Sequence, residues 1–147
     1  IMHKKKLIII GDSAFAQIAY KYFTREGKYQ IVAFSVEKNF IKNQELFGIP
    51  IIPFENIKKI YSPDDHYAFV AVTYNKLNRL RTRLFINLKK EGYKFVNYIS
   101  PYSYVDEEIE IGENVFIFEN NTIQPFVKIK DNCILWSGNH IGHHSVI

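Results

Sequence analysis

This chain predicts an α/β domain built on a parallel sheet, followed by the first coils of a parallel β-solenoid. Three observations carry that fold class. Short apolar runs alternate with amphipathic helical patterns through about the first hundred residues. A glycine-bearing turn joins the first apolar run to the first helical pattern. Aliphatic residues then recur every six positions from Val105 to Ile147.

The 147 residues are 47% hydrophobic and 16% aromatic, which is enough to bury a real core and too apolar for a disordered chain. The formal charge of +4 is scattered over Lys4–Lys6, Arg79–Arg83 and Lys89–Lys90. No long basic tract forms, so these charges read as solvated helix faces and no nucleic-acid partner is expected. A single cysteine, Cys133, excludes an internal disulfide and fits a reducing cytoplasm. The run Leu7–Ile10 is far too short to span a membrane and no signal peptide precedes it, so the expected location is cytoplasmic, without membrane insertion.

In the first part, Leu7–Ile10 reads as a buried strand that meets Gly11. Phe15, Ile18, Ala19, Tyr22 and Phe23 then share one helical face, and Gly27 can end that helix. Residues 30–36 read as a second strand, "IPIIPF" as a short one, "FENIKKIY" as a short helix and residues 67–73 as a buried strand. The next helix is expected from about Asn75 to Glu91. Leu77, Leu80, Leu84, Phe85 and Leu88 point inward, and Arg79, Arg81, Arg83 and Lys89 outward. "KFVNYI" (94–99) closes the series, and such alternation argues a parallel sheet covered on both faces. The loop Gly11, Asp12, Ser13, Ala14, Phe15 sits where such sheets bind phosphates. Together with Val36, Glu37, Thr73 and Tyr74 at strand ends it makes a candidate ligand crevice. Glu37 suits a ribose hydroxyl, and the first helix N-terminus a diphosphate. With one glycine where the dinucleotide fingerprint has three, a nicotinamide dehydrogenase is disfavoured. Bound nucleotide and plain helix capping by Ser13 both remain open.

In the last part, Val105, Ile111, Ile117, Ile123, Ile129, Leu135, Ile141 and Ile147 fall every six residues without a miss. With Ile, Val and Leu making up about a quarter of the chain, such a run has a chance of about one in fifty thousand in a chosen frame. Neither helix nor flat strand has this period, whereas a triangular solenoid with six residues per face does. Four residues on from each aliphatic lie Ile109, Val115, Asn121, Val127, Cys133, Asn139 and Ser145, which would fill the inner corners. Asn121 and Asn139, one coil apart, are expected to stack and share amide hydrogen bonds. Cys133 therefore reads as a corner filler. No capping segment follows Ile147, so further coils are expected beyond it.

Within that frame His143 and His144 lie at a turn facing out, with His140 nearby. Three readings compete: a polar corner, a zinc ligand set that lacks a further Cys or carboxylate, and a general base.

An N-terminal β-α-β domain followed by hexapeptide coils and "ILWSGNHIGHHSVI" resembles the sialic acid O-acetyltransferase (NeuD)-like sugar O-acyltransferases. These include the bacterial nucleotide-sugar N-acetyltransferases of the PglD type. The likeness spans the whole chain, and "NNTIQPFVKI…ILWSGNHIGHHS" is its most specific part. It implies a Rossmann-like domain (residues 2–100) that holds a nucleotide sugar, and the start of a left-handed parallel β-helix (residues 101–147). It also implies a homotrimer with acetyl-CoA lying along the coils between subunits, and no metal. In the family pattern an inward aliphatic, one spacer and a histidine mark the base, which here is His143, with His144 and Asn139 beside it. Three positions depart from the pattern. His144 replaces the acidic residue that commonly follows the base, Trp136 stands where related enzymes often have Asn, and Phe15 replaces a loop histidine.

The resemblance thus implies transfer of an acetyl group from acetyl-CoA to a hydroxyl or amine of a nucleotide-linked sugar in surface-glycan synthesis. The rivals are a non-catalytic nucleotide-sugar-binding or assembly module and a zinc-dependent trimeric β-helix enzyme. With its later coils missing, the 147-residue chain is itself expected to be inactive.

Overall fold

The computed structural model describes residues 4–73 and 78–147. Two compact units divide between Phe95 and Val96. The first contains β1 (Lys5–Ile10), α1 (Ala14–Glu26), β2 (Tyr29–Val36), β3 (Glu45–Leu46), β4 (Ile49–Pro53), α2 (Ile57–Ile60), β5 (His66–Val70), α3 (Arg79–Lys90) and β6 (Lys94–Phe95). Its strands form one sheet in the order β3-β4-β2-β1-β5-β6. All neighbours run parallel except the hairpin pair β3 and β4.

Alternation along β1 supplies both faces of this sheet. Leu7 to Ile10 are all fully buried, and successive side chains in a strand point to opposite sides. Ile8 and Ile10 join Ala33, Ala68 and Val70, and this cluster packs on Ile57 of α2 and Leu84, Phe85 and Leu88 of α3. Phe69 belongs to the other face, where Phe15 and Phe23 of α1 meet it edge-on at 6.1 and 5.2 Å. Helices thus cover both faces, because a parallel sheet has no face suited to water. Gly27 ends α1 in the left-handed region at φ 79°, its N–H donating to the Phe23 carbonyl.

Several sequence-level expectations are corrected here. Arg81 is not an outward residue of α3. It is fully buried, and its guanidinium donates to the carbonyls of Val70 and Val72 and lies over the rings of Phe15 and Phe69. A guanidinium accepts this position because it can satisfy carbonyls and stack on aromatic faces together. The fifth strand ends at Val70 rather than residue 73. Of "KFVNYI", only Lys94–Phe95 joins the sheet, and Tyr98–Ile99 pairs with Phe116–Ile117 in the second unit. The expected boundary at residue 100 therefore moves back to Phe95. The expected helix start at Asn75, inward Leu77 and the crevice residue Tyr74 lie outside the described residues.

The second unit is built from two-residue strands: β7 (Tyr98–Ile99), β8 (Tyr104–Val105), β9 (Glu110–Ile111), β10 (Phe116–Ile117), β11 (Thr122–Ile123), β12 (Lys128–Ile129), β13 (Ile134–Leu135) and β14 (His140–Ile141). They stack in three parallel ribbons, β7-β10-β13, β8-β11-β14 and β9-β12. This is the parallel β-helix that the six-residue period predicts. Ile117, Ile123, Ile129 and Leu135 are core, with Val105, Ile111 and Ile141 packed against them. Ile147 holds its backbone register with Lys128 and Lys130, yet its side chain is 38% exposed.

Corner residues behave as expected with one change. Val115, Asn121 and Val127 are buried, and Cys133 packs against the core. The asparagine amides, however, do not bond each other. The Asn121 Oδ1 accepts the backbone N–H of Asn139 (2.9 Å), while its Nδ2 donates to the Phe118 carbonyl (2.8 Å). One amide thus serves both a donor and an acceptor that the turn leaves without a ladder partner. A second periodicity also appears. Asn114, Asn120, Phe126, Asn132, Gly138 and His144 all have φ between 60° and 88°. These six positions form the left-handed turns of the six consecutive corners that follow β9.

Asn121→Ala strips the Asn139 N–H of its acceptor inside the coil, so it should cost about 1–3 kcal/mol. Asn139→Ala, at an exposed corner, should cost clearly less. Urea unfolding of the two variants measures the difference.

Candidate functional site

The first unit carries a cleft of about 960 Å³ at the carboxyl ends of β1 and β2, walled by Gly11, Asp12, Ser13, Ser35, Val36 and Glu37. α3 closes it with Arg79, Leu80 and Arg83, and Phe40 and Lys42 stand at its edge. Gly11 makes this geometry possible. Its φ is 115°, its N–H donates to the Ser35 carbonyl at 2.7 Å, and a Cβ there would lie 2.7 Å from the Ala71 carbonyl oxygen. Only glycine fits both the torsion and the space.

Ser13 occupies the N-cap position of α1 but its hydroxyl makes no capping hydrogen bond. The exposed hydroxyl and the first-turn N–H groups of α1 are therefore available to an anion. Glu37, expected to hold a ribose hydroxyl, is paired with Arg83 here. Both its carboxylate oxygens accept from Arg83, at 2.9 and 3.1 Å. Donating to Glu37 raises the Arg83 guanidinium above the ordinary arginine value. Phe15 is buried against Phe69 rather than in the cleft, and Ala14 faces a separate groove of about 720 Å³ with Tyr20 and Phe47. Thr73 is half-buried beyond the end of β5 and is not part of the cleft wall.

The second unit presents the histidines. His140, in β14, pairs in register with Thr122. His143 and His144 form the turn that follows, and both are exposed. The His143 N–H donates to the Gln124 Oε1 at 3.0 Å, fixing its backbone. The two rings meet edge to face, with His143 Nδ1 and His144 Nδ1 3.0 Å apart. The His144 ring also lies on Phe126, centroids 5.0 Å apart and one coil below. Asn139 donates through Nδ2 to the Trp136 carbonyl (2.6 Å), so its amide is engaged in the corner. Among the described residues, no group of three or more His, Cys, Asp or Glu could hold a metal ion. No helix among them is long and apolar enough to cross a membrane.

Sequence reasoning missed Arg83 and Lys42 in the cleft, Gln124 behind His143, and the left-handed turn positions. Those turns were legible as Asn or Gly at 114, 120, 132 and 138, in a second frame of six.

A parallel sheet with a crevice at its strand ends, joined to a solenoid with histidines at one corner, defines a hexapeptide-repeat protein with a Rossmann-like first unit. The chain belongs to the PglD N-terminal domain family, whose model matches residues 6–88. A second model, bacterial transferase hexapeptide (six repeats), matches residues 108–143. No curated protein sequence matches the chain. Among solved structures it is similar to the acetyltransferase domain of PglB from Neisseria gonorrhoeae FA1090 in complex with acetyl coenzyme A. That likeness has a TM-score of 0.82 at 20% identity, over 98% of this chain and 67% of the other. It is also similar to PerB from Caulobacter crescentus in complex with CoA and GDP-perosamine, with a TM-score of 0.79 at 22% identity, over 94% of this chain and 63% of that one.

Gly11→Ala should destabilise the first unit by roughly 1–3 kcal/mol, since both torsion and space refuse a Cβ. Thermal unfolding followed by circular dichroism checks this, and Gly27→Ala, whose Cβ would meet nothing within 4 Å, is the control for torsion alone.

Proposed function

We propose that this chain is part of an acetyl-CoA-dependent sugar acetyltransferase, acting on a hydroxyl or amine of a nucleotide-linked sugar in surface-glycan synthesis. The observation that carries the reading is His143. It is an exposed imidazole at a solenoid corner, with its backbone tied to Gln124 and its Nδ1 in contact with His144. Family membership and the likeness to PglB and PerB support the same reading. The cleft of the first unit suits the nucleotide sugar: Ser13 and the start of α1 take the diphosphate, and Arg79, Arg83 and Lys42 balance its charge. Acetyl-CoA is the co-substrate, the assembly a homotrimer and the compartment the cytoplasm, which the single Cys133 fits.

In the reaction the Nε2 lone pair of His143 takes the acceptor's proton as its oxygen or nitrogen attacks the thioester carbonyl. The tetrahedral oxyanion is held by backbone N–H donors. On collapse the carbon–sulfur bond breaks and the imidazolium returns its proton to the departing thiolate, giving acetylated sugar and free CoA thiol. No protein nucleophile is required, so transfer is direct.

The test is release of CoA thiol by the complete protein against a panel of uridine, thymidine, guanosine and cytidine diphosphate amino and hydroxy sugars. One acceptor should stimulate release. His143→Ala should lower that rate by at least ~10²-fold, the loss expected for a general base, with His140→Ala near wild type. Saturable nucleotide-sugar binding without turnover would point to a non-catalytic binding module. An equal loss from His140→Ala, with His143→Ala unaffected, would reassign the base.

A further inference from the structure

Six corner turns of the solenoid require a left-handed residue, and four of them use Asn or Gly, the residues that adopt it at least cost. The two exceptions, Phe126 (φ 65°) and His144 (φ 63°), sit one above the other in a single column. A bulky ring in this torsion is an outlier that neighbouring structure must hold in place. Here the backbone does so: the Phe126 N–H donates to the Glu108 carbonyl at 2.7 Å and the His144 N–H to the Pro125 carbonyl at 3.3 Å. The consequence is a His144 ring seated on Phe126, with its Nδ1 3.0 Å from the Nδ1 of His143.

Two nitrogens at that distance share one proton, and the owner decides what His143 can do. If His144 carries it, His143 accepts at Nδ1 and bears its own hydrogen on Nε2, which makes it an acid. If His143 carries it, Nε2 is left with a free lone pair, which makes it a base.

We infer that His144 is the positioning residue for His143, accepting the His143 Nδ1–H at its own Nδ1 and so setting the tautomer that exposes the Nε2 lone pair. The inference rests on the reading of His143 as base, and it concerns what a neutral imidazole does in the place of a carboxylate. When His143 takes the acceptor's proton at Nε2, its Nδ1–H becomes a charge-assisted donor to His144, which holds the ring in plane while the proton is lent. His144 touches neither the donor nor the acceptor in this scheme.

Nitrogen-15 NMR of the imidazoles in the neutral protein reads the tautomers directly and needs no substrate. His143 should show a protonated Nδ1 and a lone-pair Nε2, and His144 the reverse. In the complete enzyme, His144→Gly keeps the turn, as Gly138 does at the same position with φ 88°. It should leave the unfolding temperature and the KM for acetyl-CoA in place while lowering kcat by roughly 10–100-fold, the range for removing a group that orients a histidine. His144→Asp, whose carboxylate accepts the same N–H, should restore most of kcat. A native His143 with its lone pair on Nδ1 would overturn the inference. So would a Gly variant with wild-type kcat, or one whose kcat and unfolding temperature fall together and are not rescued by Asp. If His143→Ala retains full turnover, the base assignment fails instead, and the NMR tautomers still report whether the pair is ordered as described.

Discussion

A two-residue strand cannot hold itself in a sheet, and every strand of the second unit is that short. Each is held by backbone bonds to a neighbouring coil, as when the Thr122 N–H donates to the Asn139 carbonyl and the Tyr104 N–H to that of Asn121. The register between such partners is eighteen residues, as in Phe116 with Tyr98 and Ile134. From that pairing the rest follows. Three faces must share eighteen residues, so each has six, and one residue of each strand must point inward as an aliphatic. Each corner must then turn the chain within a few residues, which left-handed positions accomplish at the six corners after β9. What those turns leave unpaired is taken up by side-chain amides such as Asn121 and Asn97, whose Oδ1 accepts the Val115 N–H at 2.8 Å.

The first unit obeys a different constraint with a similar outcome. In the order β4-β2-β1-β5 the chain winds one way from β1 and later returns to its other side, so the connections diverge at the carboxyl end of β1. A crevice is unavoidable there, and the loop leaving β1 must pass close to both neighbouring strands. Gly11 bonds to Ser35 on one side and lies against Ala71 on the other. The loop at the cleft is thus shaped by the closeness of the sheet behind it. Buried Arg81, tied to the carbonyls of Val70 at the end of β5 and Val72 just past it, braces the same end of the sheet from within.

Legibility in the sequence tracked the range of the interactions involved. The solenoid repeats one local rule, so Val105 to Ile141 revealed both its period and its inward face. β1, α1 and β2 were legible for the same reason, each being a periodic apolar pattern with a clear stop. Tyr98–Ile99 was misassigned because its apolar character suits a sheet strand and a solenoid strand equally, and only its partner Phe116–Ile117 decides. Arg81 defeated the helical pattern because carbonyls nine and eleven residues away satisfy it, a fact no local period contains. Glu37 lines the cleft, but its pairing with Arg83 spans 46 residues and could not be read from either segment.

The histidine corner departs from the local rule that the other turns obey. At 114, 120, 132 and 138 the residue suits its torsion, and a solenoid selected for stability alone would continue that pattern at 126 and 144. Instead two aromatic rings occupy the left-handed turn in consecutive coils, at a cost in backbone strain of order 1–3 kcal/mol each. Departures from an otherwise consistent pattern concentrate at functional sites, because there the side chain rather than the backbone decides the residue. The pair is also ordered. Phe126 supplies a face for His144, and His144 supplies a nitrogen to His143, whose own backbone is pinned by Gln124. A polar surface corner would need none of these three contacts. Together they order the adjacent His143 and His144, and the proposed catalytic reading of the corner rests on that order.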